Sequence, residues 1–159
     1  MNGAVVFVEI PSGSRNKYEY DKELGGIVLD RRLFTAMTYP ADYGYVEGTI
    51  ADDGDPLDAL VLVSDPTFPG CRIRVRPIGV FHMSDEKGPD EKLLCVPLGD
   101  PSWERVRDIH DVTAELRDEI EHFFQRYKDL EPSKQTETRG WGNRDEAAQI
   151  LAASRDRAE

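Results

Sequence analysis

The sequence predicts an α+β domain in which short strands come first and helices follow. The first hundred residues contain short runs rich in Val, Ile and Leu, bounded by Gly, Pro and Asp. The last third instead places apolar residues at helical spacing. The length of 159 residues, with 39% hydrophobic and 32% charged residues, suits one globular domain with a substantial core. We therefore predict a single domain over residues 1–159.

Short apolar runs predict the strands of the first part. They are Val5–Ile10, Ile27–Leu29, Leu60–Val63, Ile73–Val80 and Leu93–Pro97. The pair Gly25-Gly26 predicts a hairpin turn between Lys17–Tyr20 and Ile27–Leu29. Short strands at such close spacing are typical of a small barrel or a strongly bent sheet.

The last third predicts two helices beside this sheet. An amphipathic helix is expected from Thr113 to about Asp129, because the apolar residues follow one another at three or four positions: Leu116, Ile120, Phe123, Phe124 and Tyr127. Asn143, with Glu146 three residues later, resembles a capping box and predicts the start of a second helix. Its buried face would consist of Ala147, Ile150 and Leu151. We expect the charged tail after Ala153 to fray.

The charge of the chain excludes several classes of partner. A net charge of −11 opposes a nucleic-acid surface and an anionic membrane, and no apolar run reaches the roughly 20 residues of a membrane span. It does not exclude an anionic substrate, because bound cations reverse the local sign of a carboxylate-rich site.

Cys71 and Cys95 have no metal-like or redox-like spacing, which predicts two reduced thiols. The first ten residues do not form a signal peptide, so we expect a cytoplasmic protein.

Two acidic segments are the strongest functional signals. Asp52–Asp58 contains four carboxylates within seven residues and leads directly into the apolar run Ala59–Val63. A second group follows the apolar run that ends at Phe81; it consists of Asp85, Glu86, Asp90 and Glu91. Taken alone, the first segment also fits a solvated acidic turn. If the two segments converge, oxygen ligands without a His or Cys cluster favour magnesium, manganese or calcium over zinc. The scattered His82, His110 and His122 are expected to be structural or solvent-facing.

Cationic and aromatic residues could complete an anion site, but spacing alone does not select them. Strand alternation places Lys17 and Glu19 on one face. For the other candidates the ordinary explanation is the usual one, a surface charge for Lys or Arg and a core or rim position for Tyr; these are Arg31, Tyr39, Tyr43, Tyr127 and Lys128.

The segment Asp53-Gly54-Asp55-Pro56-Leu57-Asp58 resembles the acidic signature of the soluble family I inorganic pyrophosphatases. Further segments resemble family segments in the same order along the chain. They are Val8-Glu9-Ile10-Pro11, Lys17-Tyr18-Glu19, Asp30-Arg31, Tyr39-Pro40 with Tyr43-Gly44-Tyr45, Arg76–Val80, Asp85-Glu86 with Asp90 and Lys92, and His122–Phe124 with Tyr127–Glu131. The resemblance extends from about residue 5 to about residue 142.

This resemblance implies a five-stranded OB-like barrel with two flanking helices, and magnesium-dependent hydrolysis of pyrophosphate to two orthophosphates. It implies metal binding by Glu9, Glu19, Asp53, Asp58, Asp85 and Asp90, with Asp55 as general base. It implies phosphate binding by Lys17, Arg31, Tyr43, Lys92, Tyr127 and Lys128, with Tyr39 lining the site. Several Mg²⁺ ions per site are implied, with Mn²⁺ or Zn²⁺ as substitutes. A cytoplasmic homo-oligomer, with a hexamer favoured, is also implied.

Three alternatives remain open at this stage. A calcium-binding protein would use Asp53-Gly54-Asp55, but Pro56 breaks the ligand register of an EF-hand loop and apolar strands flank it. An OB-type module for nucleic acid would need a basic groove, which the acidic balance opposes. The third is the same fold acting on another phosphoanhydride, or without activity.

Overall fold

The computed structural model describes residues 3–159, in which it contains nine strands and two α-helices. The strands are β1 Ala4–Ile10, β2 Asn16–Asp21, β3 Gly26–Arg32, β4 Asp42–Val46, β5 Asp58–Val61, β6 Arg72–Asp85, β7 Gly88–Pro89, β8 Lys92–Pro97 and β9 Thr136–Gly142. The helices are α1 Ala114–Arg126 and α2 Arg144–Ala158. Residues 1 and 2, which belong to the predicted domain, lie outside the described residues.

Five strands close into a ring, which confirms the predicted OB-like barrel. β1 pairs with β4, β4 with β5, β5 with β8, β8 with β6, and β6 returns to β1. Only the β5–β8 pair in this ring is parallel. β6 is 14 residues long, so its far end also pairs with β7 and β9. The predicted hairpin of β2 and β3 forms a separate two-stranded sheet.

Two apolar cores explain why the runs at β5 and β8 are continuously apolar rather than alternating. Successive residues of each strand point to opposite faces, and both faces are covered. One face joins the core that contains α2, through Ala59, Val61, Leu93, Cys95, Ala147 and Leu151. The other face joins the core that contains α1, through Leu60, Leu62, Leu94, Val96, Ile120, Phe123 and Phe124. The predicted buried faces of both helices are therefore confirmed, and the barrel is held between them.

Both helices begin where the sequence predicted, and a side chain caps the start of each. The hydroxyl of Thr113 accepts a hydrogen bond from the backbone N–H of Leu116, and Oδ1 of Asn143 accepts one from the backbone N–H of Glu146. The reciprocal bond of the predicted capping box, from the Asn143 backbone to the Glu146 side chain, is replaced by another contact. The carboxylate of Glu146 lies 2.8 Å from Nε2 of His82, whose other ring nitrogen contacts Glu91.

The predicted fraying after Ala153 is wrong. α2 continues to Ala158, because charged side chains in its last turns bind the body of the protein. Arg155 donates to the carbonyl of Gly3 at 2.9 Å. Arg157 forms an ion pair with Asp52 at 2.7 Å. The tail is thus an anchored helix end that supports the first acidic segment.

Other sequence expectations have mixed outcomes. The sequence did not predict β4, which contains Tyr43 and Gly44, or the polar edge strand β9. Cys71 and Cys95 are free thiols, as expected. Between residues 3 and 159, neither helix has the length and apolar character needed to cross a membrane.

Candidate active site

The two acidic segments converge because β5 and β8 are parallel neighbours. Asp58 and Lys92, the first residues of these strands, lie opposite each other in register. Nζ of Lys92 donates hydrogen bonds to Oδ2 of Asp58 at 3.1 Å and to Oδ2 of Asp90 at 3.0 Å. A third bond of 2.6 Å joins Nζ to the hydroxyl oxygen of Tyr43 on β4. One ammonium group therefore links three of the predicted site residues.

Lys92 carries its charge in an almost fully buried position, where its side chain is 1% exposed. Burial lowers the pKa of the ammonium, but Asp58 and Asp90 outweigh this effect, and the net result is a raised pKa. Its Nζ also lies 5.0 Å from the ring centroid of Tyr43 and 5.3 Å from that of Phe124. Lys92 is therefore a fixed cation at the end of the barrel.

Asp58 lies close enough to Asp90 to affect the ionisation of Asp90. Burial is the main cause that raises the pKa of Asp90; Lys92 opposes the rise, and the charge and hydrogen bonding of Asp58 add to it. Asp53 lies with these two residues on the wall of a cavity of about 180 Å³. A divalent cation would relieve the repulsion at this wall.

Asp55 lies at the exposed tip of the acidic loop between β4 and β5. Gly54 has a φ of +89°, which an L side chain rarely adopts, and it bends this tip. Oδ1 of Asp53 accepts a hydrogen bond of 3.0 Å from the backbone N–H of Asp55. The carbonyl of Asp55 accepts one of 2.7 Å from Ala51. The described contacts of Asp55 are thus made by its backbone, and its carboxylate faces solvent.

Glu9 connects the barrel to the outer hairpin. Its Oε2 accepts a hydrogen bond of 2.9 Å from the backbone N–H of Tyr20. Burial raises the pKa of Glu9 to about 7, with further upward contributions from Asp58 and Glu19 and opposing ones from Tyr20 and Lys17. Lys17 lies 3.9 Å from Glu19, as the predicted strand alternation requires. The pKa of Glu9 therefore depends on charges of both the hairpin and the barrel.

Arg31 is held by two carboxylates that the sequence did not identify as site residues. Asp30 lies 2.6 Å from Nη1 of Arg31 and 3.3 Å from Nζ of Lys17, and Glu131 lies 3.0 Å from Nη2. Burial lowers the pKa of Arg31, but Glu131 and Asp30 outweigh it and the pKa is raised. Glu131 is 100 residues away along the chain, and no local pattern indicated this pairing.

Lys128 connects the end of α1 to the second acidic segment. Its Nζ lies 3.9 Å from Asp85 and 3.9 Å from Glu86. Burial lowers the pKa of Lys128; these two carboxylates oppose that change, while Lys92 contributes repulsion. Asp85, Lys92 and Lys128 therefore belong to the same group of charges.

Three tyrosines surround this group of charges as protonated phenols. Burial is the first cause of the raised pKa of each of them, namely Tyr39, Tyr43 and Tyr127. The ring centroids of Tyr39 and Tyr43 are 5.4 Å apart, and Tyr39 also packs 4.8 Å from Phe123. At neutral pH these hydroxyl groups can donate hydrogen bonds to an anion.

The donor chemistry of the site fits a hard divalent cation. Within residues 3–159, no three His, Cys, Asp or Glu side chains stand close enough to hold a metal ion without moving. Asp58 and Asp90 nevertheless crowd each other beside Asp53, and all three offer carboxylate oxygens. Magnesium prefers such ligands and commonly keeps part of its water shell.

An OB-like barrel with clustered carboxylates, fixed cations and protonated phenols is typical of an enzyme that acts on phosphate anions. Comparison with known proteins leads to one family. The sequence model of the family described as inorganic pyrophosphatase matches residues 6–159. The chain therefore belongs to the inorganic pyrophosphatase family of enzymes, as the acidic signature and the other collinear segments predicted.

Individual relatives agree with this assignment. The inorganic pyrophosphatase of Streptomyces coelicolor is 62% identical over 142 residues, which cover 89% of this chain and 87% of the relative. The solved inorganic pyrophosphatase of Coxiella burnetii has a TM-score of 0.96 at 44% identity and covers 99% of this chain and 96% of its own. That of Thermus thermophilus has a TM-score of 0.97 at 43% identity, with 99% and 91% covered.

Proposed function

We propose that this chain hydrolyses inorganic pyrophosphate to two orthophosphates with magnesium as cofactor. Membership in the family supports the reaction. The single observation that carries the proposal for this site is the set of contacts made by Lys92 with Asp58, Asp90 and Tyr43. These contacts put a fixed cation, two crowded carboxylates and a phenol at one end of the barrel. The cation and the phenol suit a phosphate anion, and the carboxylates suit the metal ions that would bind with it.

We assign metal binding to the carboxylates of three parts of the site: β1 with the outer hairpin, the acidic loop with the start of β5, and the chain from the end of β6 to the start of β8. They are Glu9, Glu19, Asp53, Asp58, Asp85 and Asp90. Several Mg²⁺ ions per site are proposed, with Mn²⁺ or Zn²⁺ as substitutes. When bound, such ions neutralise the negative charge of the site and its substrate and make a water molecule more acidic. Without them the carboxylates outnumber the cations, and the site repels a tetra-anion.

The cations of the chain bind and orient the phosphate oxygens in this proposal. Lys17, Arg31 and Lys92 come from β2, β3 and β8, and Lys128 follows α1, so these cations can surround a diphosphate from several sides. Arg31 is held in place by Asp30 and Glu131, which limits the entropy lost on binding. The cations nearest the departing orthophosphate stabilise its growing charge.

The buried phenols act as neutral donors. Tyr43 accepts a hydrogen bond from Lys92, so its own proton remains available for a phosphate oxygen. We assign the same donor role to Tyr127. Tyr39 packs against Tyr43 and orients that ring.

We assign the role of general base to Asp55. Its carboxylate lies at the loop tip, next to Asp53, and is not engaged by an ion pair in the described structure. It can therefore accept a proton from the attacking water.

Release of orthophosphate from pyrophosphate tests the proposal directly. We expect rapid release with magnesium and none above background after chelation with EDTA, and we expect much slower release from ATP under the same conditions. Equal rates with ATP would favour the alternative of another phosphoanhydride as substrate. Calcium-induced tightening of the fold without phosphate release would favour a non-enzymatic calcium-binding protein.

The family also suggests a cytoplasmic homo-oligomer, and we propose a hexamer. Large apolar side chains exposed on the described surface support an interface; they include Leu24, Leu29, Phe34 and Phe68. Light scattering during size-exclusion chromatography measures the mass. A monomer at micromolar concentration would contradict this assembly.

A further inference from the structure

A second cavity, of about 570 Å³, lies between β6, the segment after β8 and one face of α2. None of the assigned active-site residues lines it. Four arginines and one acidic residue provide its charged groups: Arg76, Arg107, Arg144, Arg155 and Asp145. We call this the arginine cavity. Its charge is opposite in sign to that of the chain, whose net charge is −11.

Helical spacing builds one wall of the arginine cavity. Arg144 and Arg155 lie near the two ends of α2, and the small or apolar residues Ala148, Leu151 and Ala152 lie between them. These positions recur at three or four residues and therefore share one helix face. The wall thus has an apolar centre with a guanidinium group at each end.

Arg76 is anchored without losing its charge. Its Nη2 donates to the backbone carbonyls of Trp103 at 3.3 Å and Val106 at 2.8 Å, which are neutral acceptors. Its Nε is buried without a hydrogen-bond partner among residues 3–159. Burial and the charge of Arg107 lower the pKa of Arg76. An anion in the cavity would offset both effects.

Two other arginines follow the same pattern. Nε of Arg107 donates to the carbonyl of Glu104 at 3.2 Å, and Nη2 of Arg155 donates to the carbonyl of Gly3 at 2.9 Å. Arg144 forms a loose ion pair, in which its Nε lies 3.9 Å from Oδ2 of Asp108. Backbone carbonyls thus fix three of the four guanidinium groups in position and do not neutralise them. The cavity is therefore positively charged and largely preorganised.

We propose that the arginine cavity binds a small anion that carries several phosphate groups. The planar guanidinium forms paired hydrogen bonds to phosphate oxygens, and four such groups match several phosphates better than one. The volume falls within the usual range of small-molecule sites. Inorganic polyphosphate and the phosphate chain of a nucleotide share this chemistry, and the apolar centre of the α2 wall offers a nucleoside an apolar surface.

Calorimetric titration of the metal-free protein with tripolyphosphate and, separately, with ATP tests this proposal. EDTA is kept in the buffer, because the metal-free active site repels polyanions and no turnover occurs. The result is thus independent of the proposed diphosphatase activity. We expect saturable binding at one site per chain, weakened by added salt.

Two double variants distinguish binding at a specific site from general electrostatic attraction. The double variant Arg107→Ala/Arg144→Ala should bind at least about tenfold more weakly, since it loses two charged donors. The double variant Arg105→Ala/Arg139→Ala removes the same charge from exposed positions outside the cavity and should bind like the wild type. Thermal unfolding and activity with magnesium check that both variants are folded.

The two ligands identify the source of the phosphates. Equal affinity for tripolyphosphate and ATP would support recognition of the phosphate chain alone, and tighter binding of ATP would support a nucleotide. Absence of saturable binding for both ligands would overturn the proposal. Equal weakening in the two double variants would also overturn it, because it would show non-specific attraction.

Discussion

Nζ of Lys92 and the hydroxyl oxygen of Tyr43 lie 2.6 Å apart in the interior of the protein. The hydrogen bond spans two strands that are not neighbours in the barrel, because β5 lies between β4 and β8. It holds the ammonium at the point where Asp58 and Asp90 meet and leaves the phenol proton for another acceptor. The position of one buried cation thereby connects the stability of the barrel to the chemistry of its site.

Substitution of Lys92 by Met should destabilise the metal-free protein. Asp58 and Asp90 would lose their shared countercharge, and breaking a buried ion pair in this way costs about 3 kcal/mol or more. Urea denaturation in EDTA measures the loss in the free energy of unfolding. Tyr43→Phe is the matched control, since it removes one hydrogen bond and should cost only about 1 kcal/mol. A Lys92→Met protein as stable as the wild type would show that the ammonium does not hold this site together.

The stability of the metal-free protein should depend on pH through Glu9. The pKa of this carboxyl is raised from 4.5 to about 7, so the folded state favours the protonated form. The resulting stabilisation is complete below about pH 4.5 and is lost as the pH rises through about 7. A shift of this size corresponds to at most about 3 kcal/mol.

The variant Glu9→Gln isolates this effect because it keeps a neutral side chain of the same shape. In EDTA we expect it to match the wild type near pH 4.5 and to be more stable at pH 8. Unfolding curves across this pH range measure the difference. Parallel pH profiles of the two proteins would mean that burial of Glu9 has no influence on stability.

Asp55→Asn should reduce turnover while leaving metal binding largely intact. An amide cannot accept the proton of the attacking water, and the loss of a general base lowers rates by about 10²- to 10⁴-fold. Steady-state phosphate release and titration with Mg²⁺ measure the two properties. Asp52→Asn is the control on the same loop, because Asp52 is paired with Arg157 and has no assigned role in the reaction. Near-normal turnover of the Asp55→Asn protein at neutral pH would remove Asp55 from the role of base.

Gly44→Ala should destabilise the barrel at the pairing of β1 and β4. A Cβ atom at Gly44 would clash with the carbonyl oxygen of Phe7, at a separation of only 1.9 Å, so the backbone of one strand must move. Overpacking typically costs about 1–3 kcal/mol, and a clash with backbone belongs at the upper end. Gly26→Ala is the control, since a Cβ atom added there would meet nothing within 4 Å. Equal melting temperatures for the two variants would contradict this packing.

The sequence predicted the elements whose apolar pattern is strong and missed those without one. The runs at β5 and β8, and the helical spacing in α1, were recognised because burial on one or two faces requires apolar residues there. β9 escaped prediction because it is a polar edge strand that depends on pairing with β6. β4 escaped prediction because Gly44 interrupts its apolar pattern; this glycine is required by the close approach of Phe7, not by a change in chain direction.

For the site, too, the sequence predicted features that depend on neighbouring residues and missed contacts between residues far apart in the chain. The acidic loop was visible as a local cluster of like charges. Lys92 could not be distinguished from a surface lysine until the β5–β8 register placed it between Asp58 and Asp90. The supporting carboxylates Asp30 and Glu131 were missed, since their contacts with Arg31 depend on the tertiary fold. The family resemblance supplied the roles that spacing alone could not.

The central claim is that divalent ions held by carboxylates turn this acidic site into a receptor for a phosphate anion. Its most direct test is anomalous scattering from Mn²⁺ in crystals soaked with a non-hydrolysable diphosphate analogue. We expect anomalous peaks between Asp53, Asp58 and Asp90, with the analogue bridging them to Lys92. Clear density for the analogue with no ion among those three carboxylates would contradict the account.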